Sequence, residues 1–236
     1  MRQITEIANN KKNQVLERDL PVHRWYQFVL GYPPHLVRYY LNAFNISRYQ
    51  IVLDPFCGTG TTNVECLKNG INNVGIEANP IAYFASKVKT NLKLEIDQLR
   101  NYFGYICKSL IKSFEYLHIR DNYSPIFIPL TNLDPITIKS IPQIDKEKQK
   151  VIPIGFISET PLKKVLIIKE IIYSIPVEAF KHFFMLSLAN LIVNKAGNIA
   201  FGPEIYRTKP KHDIDLINYF TAITENMIRD IERFQS

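Results

Sequence analysis

The chain has 236 residues, 46% hydrophobic and 22% charged, a balance in the ordinary globular range that argues against disorder as the default. No run of about 18 apolar residues is present, which argues against a transmembrane helix, and the start "MRQITEIANNKKNQ" lacks the apolar core of a signal peptide. The excess of 29 Lys and Arg over 22 Asp and Glu, a net charge of +7, favours a polyanionic partner such as nucleic acid. Three cysteines without CxxC spacing predict reduced thiols and a cytoplasmic location.

In chain order, residues 1–20 read as a polar arm. In "HRWYQFVLGYPPHLVRYYLNAF", Pro33-Pro34 suits a helix start, and Leu36, Val37, Tyr40, Leu41 and Phe44 then share one helical face. "IVLD" and "NVGIE" read as two short buried strands, over 51–54 and 73–77. Between them residues 61–68 predict a helix that stops at Asn69-Gly70. Asn79 can cap a further helix with Pro80 in its first turn and Ile81, Phe84, Ala85 and Val88 as its apolar stripe. Residues 21–95 thus form a βαβα region, the opening of a doubly wound α/β domain.

From 96 to 236 the pattern becomes mainly helical. Ile96, Leu99, Phe103, Ile106, Leu110 and Leu117 predict one long amphipathic helix. "SPIFIPL" and "VIPIGFI" offer short edge strands interrupted by proline. Helices are expected over 162–173 and 177–194, then a loop, "KAGNIAFGPEIYRTKPKHD", then a last helix carrying Ile217, Phe220, Met227, Ile231 and Phe234. Two confident parallel strands fall short of the ~5–6 of an ordinary sheet, so the α/β domain is incomplete in these residues.

The turn "DPFCGTG" between strand and helix asks for a ligand. A P-loop needs GxxxxGK[ST], but Gly60 is followed by Thr61-Thr62-Asn63. A dinucleotide fingerprint needs GxGxxG; Asn63 stands where the third glycine belongs, and the anionic Asp54 sits badly beside a pyrophosphate. A phosphate-free cofactor with an amino-acid end and a nucleoside end fits better. Asp54 can attract its ammonium, Gly58 and Gly60 allow close backbone approach, and Glu77 can accept both ribose hydroxyls, with Ile76, Asn79 and Pro80 flanking the adenine. That ligand is S-adenosylmethionine.

"DPFCGTGTTNVECLKNGINNVGIEANP" resembles motifs I and II of the DNA amino-methyltransferases that modify cytosine N4 or adenine N6, which carry D-P-F-x-G-[ST]-G-T and then a strand ending in G-x-[DE]. "HRWYQFVLGYPPHLVRYYL" is similar to the family's motif X, which helps hold the methionine end of the cofactor. The clear resemblance covers about residues 22–91, and a fainter one runs through "LSLANLIVNKAGNIAFGPEIYRTKP". It implies an incomplete class I methyltransferase Rossmann-like parallel sheet with a largely helical C-terminal region. It also implies a cofactor site of Tyr26, Asp54, Pro55, Phe56, Cys57, Gly58, Thr59, Gly60, Thr61, Glu77, Ala78 and Asn79.

The family's catalytic tetrapeptide, [SDN]-P-P-[YFW], is not found. Pro33-Pro34 lies between Tyr32 and His35, and "LDPI" at 133–136 has one proline and no aromatic. No catalytic residue is therefore assigned, and the resemblance implies a complementary subunit that carries the motif, with restriction–modification as the setting. A truncated remnant, a non-catalytic subunit binding S-adenosylmethionine or DNA, and a component of a tRNA guanine methyltransferase stay as alternatives. Arg207, Lys209 and Lys211, in the aromatic and basic "PEIYRTKPKH", are the first candidates for DNA contact, and Lys139, Lys146, Lys148, Lys150, Lys163 and Lys164 form a second basic region. Residues 96–236 are a candidate target-recognition or partner-docking segment. Cys57 reads as a small residue tolerated in a tight turn, Cys66 and Cys107 as core fillers. No metal is implied.

Overall fold

Pro33 holds extended backbone (φ −75°, ψ 146°) and Pro34 opens helix α1, Pro34–Ala43, where a missing N–H costs nothing. The computed structural model describes residues 15–27, 31–144, 146–201 and 205–236. Most of the expected polar arm, residues 28–30 of the motif X stretch and residues 202–204 of the basic loop lie outside these. The chain divides into two compact units, one up to Leu92 and one from Lys93 onward.

In the first unit, β1 (Ile51–Asp54) pairs in parallel with β2 (Asn72–Gly75), with Leu53 opposite Val74 and Asp54 opposite Gly75. Helix α2 (Thr61–Lys68) makes the crossover, and α3 (Pro80–Lys89) follows β2. The Asn79 side chain caps α3 by accepting from the amides of Ile81 and Ala82. β2 starts one residue earlier than its apolar run and stops before Ile76-Glu77, because those residues turn toward the glycine loop.

Val37 and Leu41 of α1 close on Cys66 of α2 and Ile71, with Ile46 and Val52 against them. Only one sheet face is covered. On the other, Ile51, Leu53, Val74 and Ile76 stay 69%, 60%, 50% and 55% exposed, although a parallel sheet ordinarily buries both faces. Among the described residues β1 pairs with β2 alone, so its outer edge is open. Beside that edge lies a groove of about 520 Å³ lined by Tyr32, Leu36, Tyr40, Phe44, Ile51 and Leu53 among others.

The second unit is built on four helices: α4 (Ile96–Tyr116), α6 (Glu159–Tyr173), α7 (Glu178–Leu191) and α8 (Leu216–Gln235). The buried stripes of α4, α7 and α8 meet at Phe103, which stacks on Phe184 (6.3 Å) and takes the edge of Phe220 (6.2 Å). The fold is therefore mixed α/β with a parallel two-stranded sheet followed by a helical region, as the sequence led one to expect.

"SPIFIPL" is not a strand. It holds a 3₁₀ turn (Pro125–Phe127), then runs as a strap along α4, where an added Cβ at Gly104 would sit 2.6 Å from the Leu130 carbonyl. Ser109 and Ser113 Oγ accept the amides of Ile136 and Ile138 in that strap. "VIPIGFI" likewise forms no ladder. It follows the short α5 (Lys146–Val151), turns at Gly155 (φ +82°), and leaves one bridge, Ile157 to Gly197. Prolines 125, 129 and 153 remove the donors a ladder needs. The expected basic loop instead contains a small antiparallel pair, β3 (Ile199–Phe201) and β4 (Ile205–Arg207), each too short for a period-two pattern to show.

Candidate functional site

The residues 54–60 and 77–79 come together at the carboxyl ends of β1 and β2. The amide of Ile76 donates to the Asp54 carbonyl (2.9 Å) and that of Cys57 to the Ile76 carbonyl (3.0 Å), so the two strand ends enter the turn locked to each other. Gly58 (φ +53°) and Gly60 (φ +87°) both use the left-handed region that glycine tolerates. Gly60 is then the entry to α2, its carbonyl accepting from Val64 at 2.9 Å.

Side chains fix the turn from both strand ends. Asp54 accepts from the Phe56 amide at 3.1 Å and from the Tyr32 hydroxyl at 2.6 Å. Glu77 accepts from the amides of Gly58 (2.8 Å) and Asn79 (2.7 Å), one on each oxygen. Every one of these donors is neutral. Among the described residues no cation pairs with either carboxylate, whereas the buried Glu65 is met by Arg38 and Lys68 and the buried Asp121 by Lys164. The turn therefore presents two uncompensated carboxylates and open space at Gly58, where an added Cβ meets nothing within 4 Å. Such a surface can take a ligand with a cation at one end and paired hydroxyls at the other.

Asn63, the residue that departs from GxGxxG, donates from Nδ2 to Asn73 Oδ1 at 2.8 Å. It also fills the space over Gly75, where an added Cβ would fall 2.5 Å from Nδ2. Cys57 is buried in the turn and burial pushes its thiol up, a poor setting for a nucleophile. Phe56 is 86% exposed, and Thr59 and Thr61 are half-buried beside the turn. Pro55 and Ala78 lie at the surface.

The motif X stretch is fastened from beneath. His23 Nε2 meets Glu65 Oε1 at 2.7 Å, and Arg38 bridges Glu65 and Asp19 at 2.6 Å each. Burial alone would raise the Glu65 carboxyl, but the hydrogen bonds from His23 and Arg38 override it and hold it at about 2. Burial lowers His23 below its ordinary value. Trp25 and Tyr26 are buried, and the Tyr26 carbonyl accepts from Lys89, a lysine so enclosed that burial brings it down to about 7. Tyr26 thus sits close to the proposed site's supporting helices through its backbone.

Thr62, Glu65 and Lys89 carry no sequence signal for the site, and Tyr32 has only its place in the motif X stretch. A tyrosine before two prolines, or an acid and a lysine inside amphipathic helices, has many ordinary explanations, and only folding sets them against the turn or its supports.

In the second unit Lys209 and Arg207 are exposed on and after β4, Arg207 with a weak bond to the Ile154 carbonyl at 3.4 Å. The Lys211 ammonium donates to the carbonyls of Lys195 (2.8 Å) and Gly197 (2.5 Å), closing the end of the helix before β3. Lys164 differs from a phosphate contact: it is wholly buried, bonded to Asp121, Asp213 and the Ile214 carbonyl. Lys150 and Lys163 pair with Glu147 and Glu159. Among the described residues no helix is long and apolar enough to cross a membrane, and no cluster of His, Cys, Asp and Glu is arranged to hold a metal.

Comparison with known proteins bears on the first unit. Residues 3–87 match the DNA methylase family, a span that takes in β1, the glycine turn, β2 and most of α3. Two curated relatives carry the methylase segment: the Type II methyltransferase M.MjaII of Methanocaldococcus jannaschii, 38% identical over 85 residues, and the Type II methyltransferase M.BsoBI of Geobacillus stearothermophilus, 32% identical over 87. Each alignment covers 36% of this chain, but only 16% of M.MjaII and 17% of M.BsoBI. No solved structure matches the chain.

Proposed function

We propose that this chain provides the S-adenosylmethionine-binding part of a DNA amino-methyltransferase acting on cytosine N4 or adenine N6, and that a complementary polypeptide supplies the catalytic Pro-Pro-aromatic motif. The observation that carries the cofactor reading is the pair of carboxylates, Asp54 and Glu77, at neighbouring strand ends and held, among the described residues, by neutral donors alone. The residues fit that cofactor. Asp54 has the charge for its ammonium, Gly58 leaves room for the ligand to lie on the backbone, and each Glu77 oxygen keeps a lone pair for a ribose hydroxyl. Pro55, Phe56, Cys57, Thr59, Gly60 and Thr61 shape the turn, Ala78 and Asn79 flank the nucleoside end, and Tyr26 lies on the methionine side. When bound, S-adenosylmethionine supplies an activated methyl group, and the work left to the protein is alignment with the target amine.

The complementary polypeptide is supported by two features besides the missing tetrapeptide. Among the described residues the outer edge of β1 is unpaired beside an apolar groove, and one face of the sheet is exposed. Arg207 and Lys209 are the proposed phosphate contacts, with Lys211 holding their hairpin.

The test is transfer of labelled methyl from S-adenosylmethionine to unmethylated DNA, by this chain alone and by its mixture with a polypeptide carrying the Pro-Pro-aromatic motif. Activity in the mixture only is the expected result. Activity from the chain alone would overturn the complementary arrangement, and inactivity of both, without cofactor binding by calorimetry, would overturn the reading.

A further inference from the structure

Tyr32 lies outside the glycine turn in sequence, yet its hydroxyl is the strongest side-chain contact that Asp54 has. The phenol donates to Asp54 Oδ2 at 2.6 Å, and the same oxygen lies 2.5 Å from Thr62 Oγ1. The phenol has one proton, and it points at the carboxylate, so Thr62 is the donor in the second bond. The result is a relay, Thr62 hydroxyl to Tyr32 hydroxyl to Asp54. It ties the first turn of α2 to the end of β1 through a side chain from the segment before α1. The other oxygen, Oδ1, is held by the Phe56 amide.

Both Asp54 oxygens are therefore oriented, and neither is neutralised. A carboxylate gripped this way loses its rotational freedom, which is the arrangement that favours a cation arriving from outside. Burial, with Asp54 second, pushes the Tyr32 phenol up to about 12, so it stays a donor at any working pH. The Tyr32 ring, with Asp54 and Thr62, also borders the groove beside β1, so the relay is not closed in by the core.

We infer that Tyr32 is a positioning residue that selects for the ammonium-bearing end of the ligand, by holding Asp54 in one orientation with Thr62 behind it. The inference rests on the S-adenosylmethionine reading given above, and deepens it. Removing the hydroxyl leaves Asp54 held by the Phe56 amide alone, and weakens the amino-acid end without touching the nucleoside end at Glu77.

Calorimetric titration of the full chain with three ligands tests this: S-adenosylmethionine, S-adenosylhomocysteine and 5′-methylthioadenosine, the last of which lacks the amino-acid end. Tyr32→Phe is expected to weaken the first two about tenfold, the scale of one hydrogen bond to a charged group, and to leave the third within about twofold. Thr62→Val should weaken the same two ligands by a smaller factor, and Thr62→Ser should restore them. Equal weakening of all three ligands by Tyr32→Phe would reduce Tyr32 to a structural role and overturn the inference, as would no change in any. Should the unmodified chain bind none of the three, the cofactor reading itself falls, an outcome distinct from the failure of Tyr32 alone.

Discussion

Gly58 and Gly60 share a left-handed backbone, but a methyl group added to each meets different surroundings. At Gly58 there is open space, so alanine brings only backbone strain, about 1 kcal/mol. At Gly60 the added carbon would sit 2.4 Å from Ser86 Oγ and 3.0 Å from Ser86 Cα, which adds a clash with α3 and brings the total to about 3 kcal/mol. Urea denaturation of Gly58→Ala and Gly60→Ala checks the ordering; equal losses would mean that α3 yields easily at Ser86. Glu65 gives a second prediction at this scale. Its folded carboxyl titrates near 2 against about 4.5 when unfolded, so the stability it provides is fully present above pH 4.5 and is lost as the pH falls toward 2. The lowered His23 acts in the same direction below its ordinary value of 6.5, because the unfolded imidazole takes up the proton first. Glu65→Gln should cost about 3 kcal/mol at neutral pH and flatten the acid limb of the stability profile.

Between the elements, the clearest imbalance is the sheet. A two-stranded parallel pair with Ile51, Leu53, Val74 and Ile76 bare on one face has no reason to be apolar there unless something covers it. Leu53→Lys separates folding from assembly. On an exposed face it should change the stability of this chain by less than about 0.5 kcal/mol, and it should abolish methyl transfer in the mixture with the complementary polypeptide. If the variant unfolds the chain instead, the face is covered by this chain's own residues. Beside that edge, Tyr40 and Phe44 stack at 5.9 Å while remaining largely exposed, which extends the apolar surface along α1.

At the scale of the whole molecule, each of the two units has its own buried charge cluster. Glu65 anchors the first; in the second, Lys164 pairs with Asp121, whose oxygens also accept the amides of Leu216 and Ile217 at the start of α8. Asp121→Ala leaves that lysine short of a partner and four-helix packing without its cap, at a cost of about 3 kcal/mol. Calorimetric melting should show the effect in one transition while cofactor affinity stays unchanged; a parallel loss of affinity would mean that the units fold as one. The net charge of +7 belongs to this scale too. If DNA is the partner, alanine at Arg207 or Lys209 should each reduce the slope of log affinity against log salt by about 1.

The sequence by itself determined the βαβα order, the glycine turn, the Asn79 cap, the long helices and the resemblance of the first segment to DNA methylases, because each is written in residues close together along the chain. Gly58 and Gly60 announce left-handed backbone, and the spacing of Leu99, Phe103, Ile106 and Leu110 announces a buried helical face. Short apolar runs with proline misled, since "SPIFIPL" and "VIPIGFI" have strand composition but lack the donors for a ladder. Only the tertiary structure decided which ionisable groups are neutralised and which are left with their charge. Lys164 and Glu65 look like surface residues in the sequence and lie fully buried in ion pairs, while Asp54 and Glu77, which the sequence marks as strand-end acids, are gripped by neutral donors. The physical reason is distance: Tyr32 and Asp54, or His23 and Glu65, are far apart along the chain and meet at 2.6 and 2.7 Å only when the helices close on the sheet.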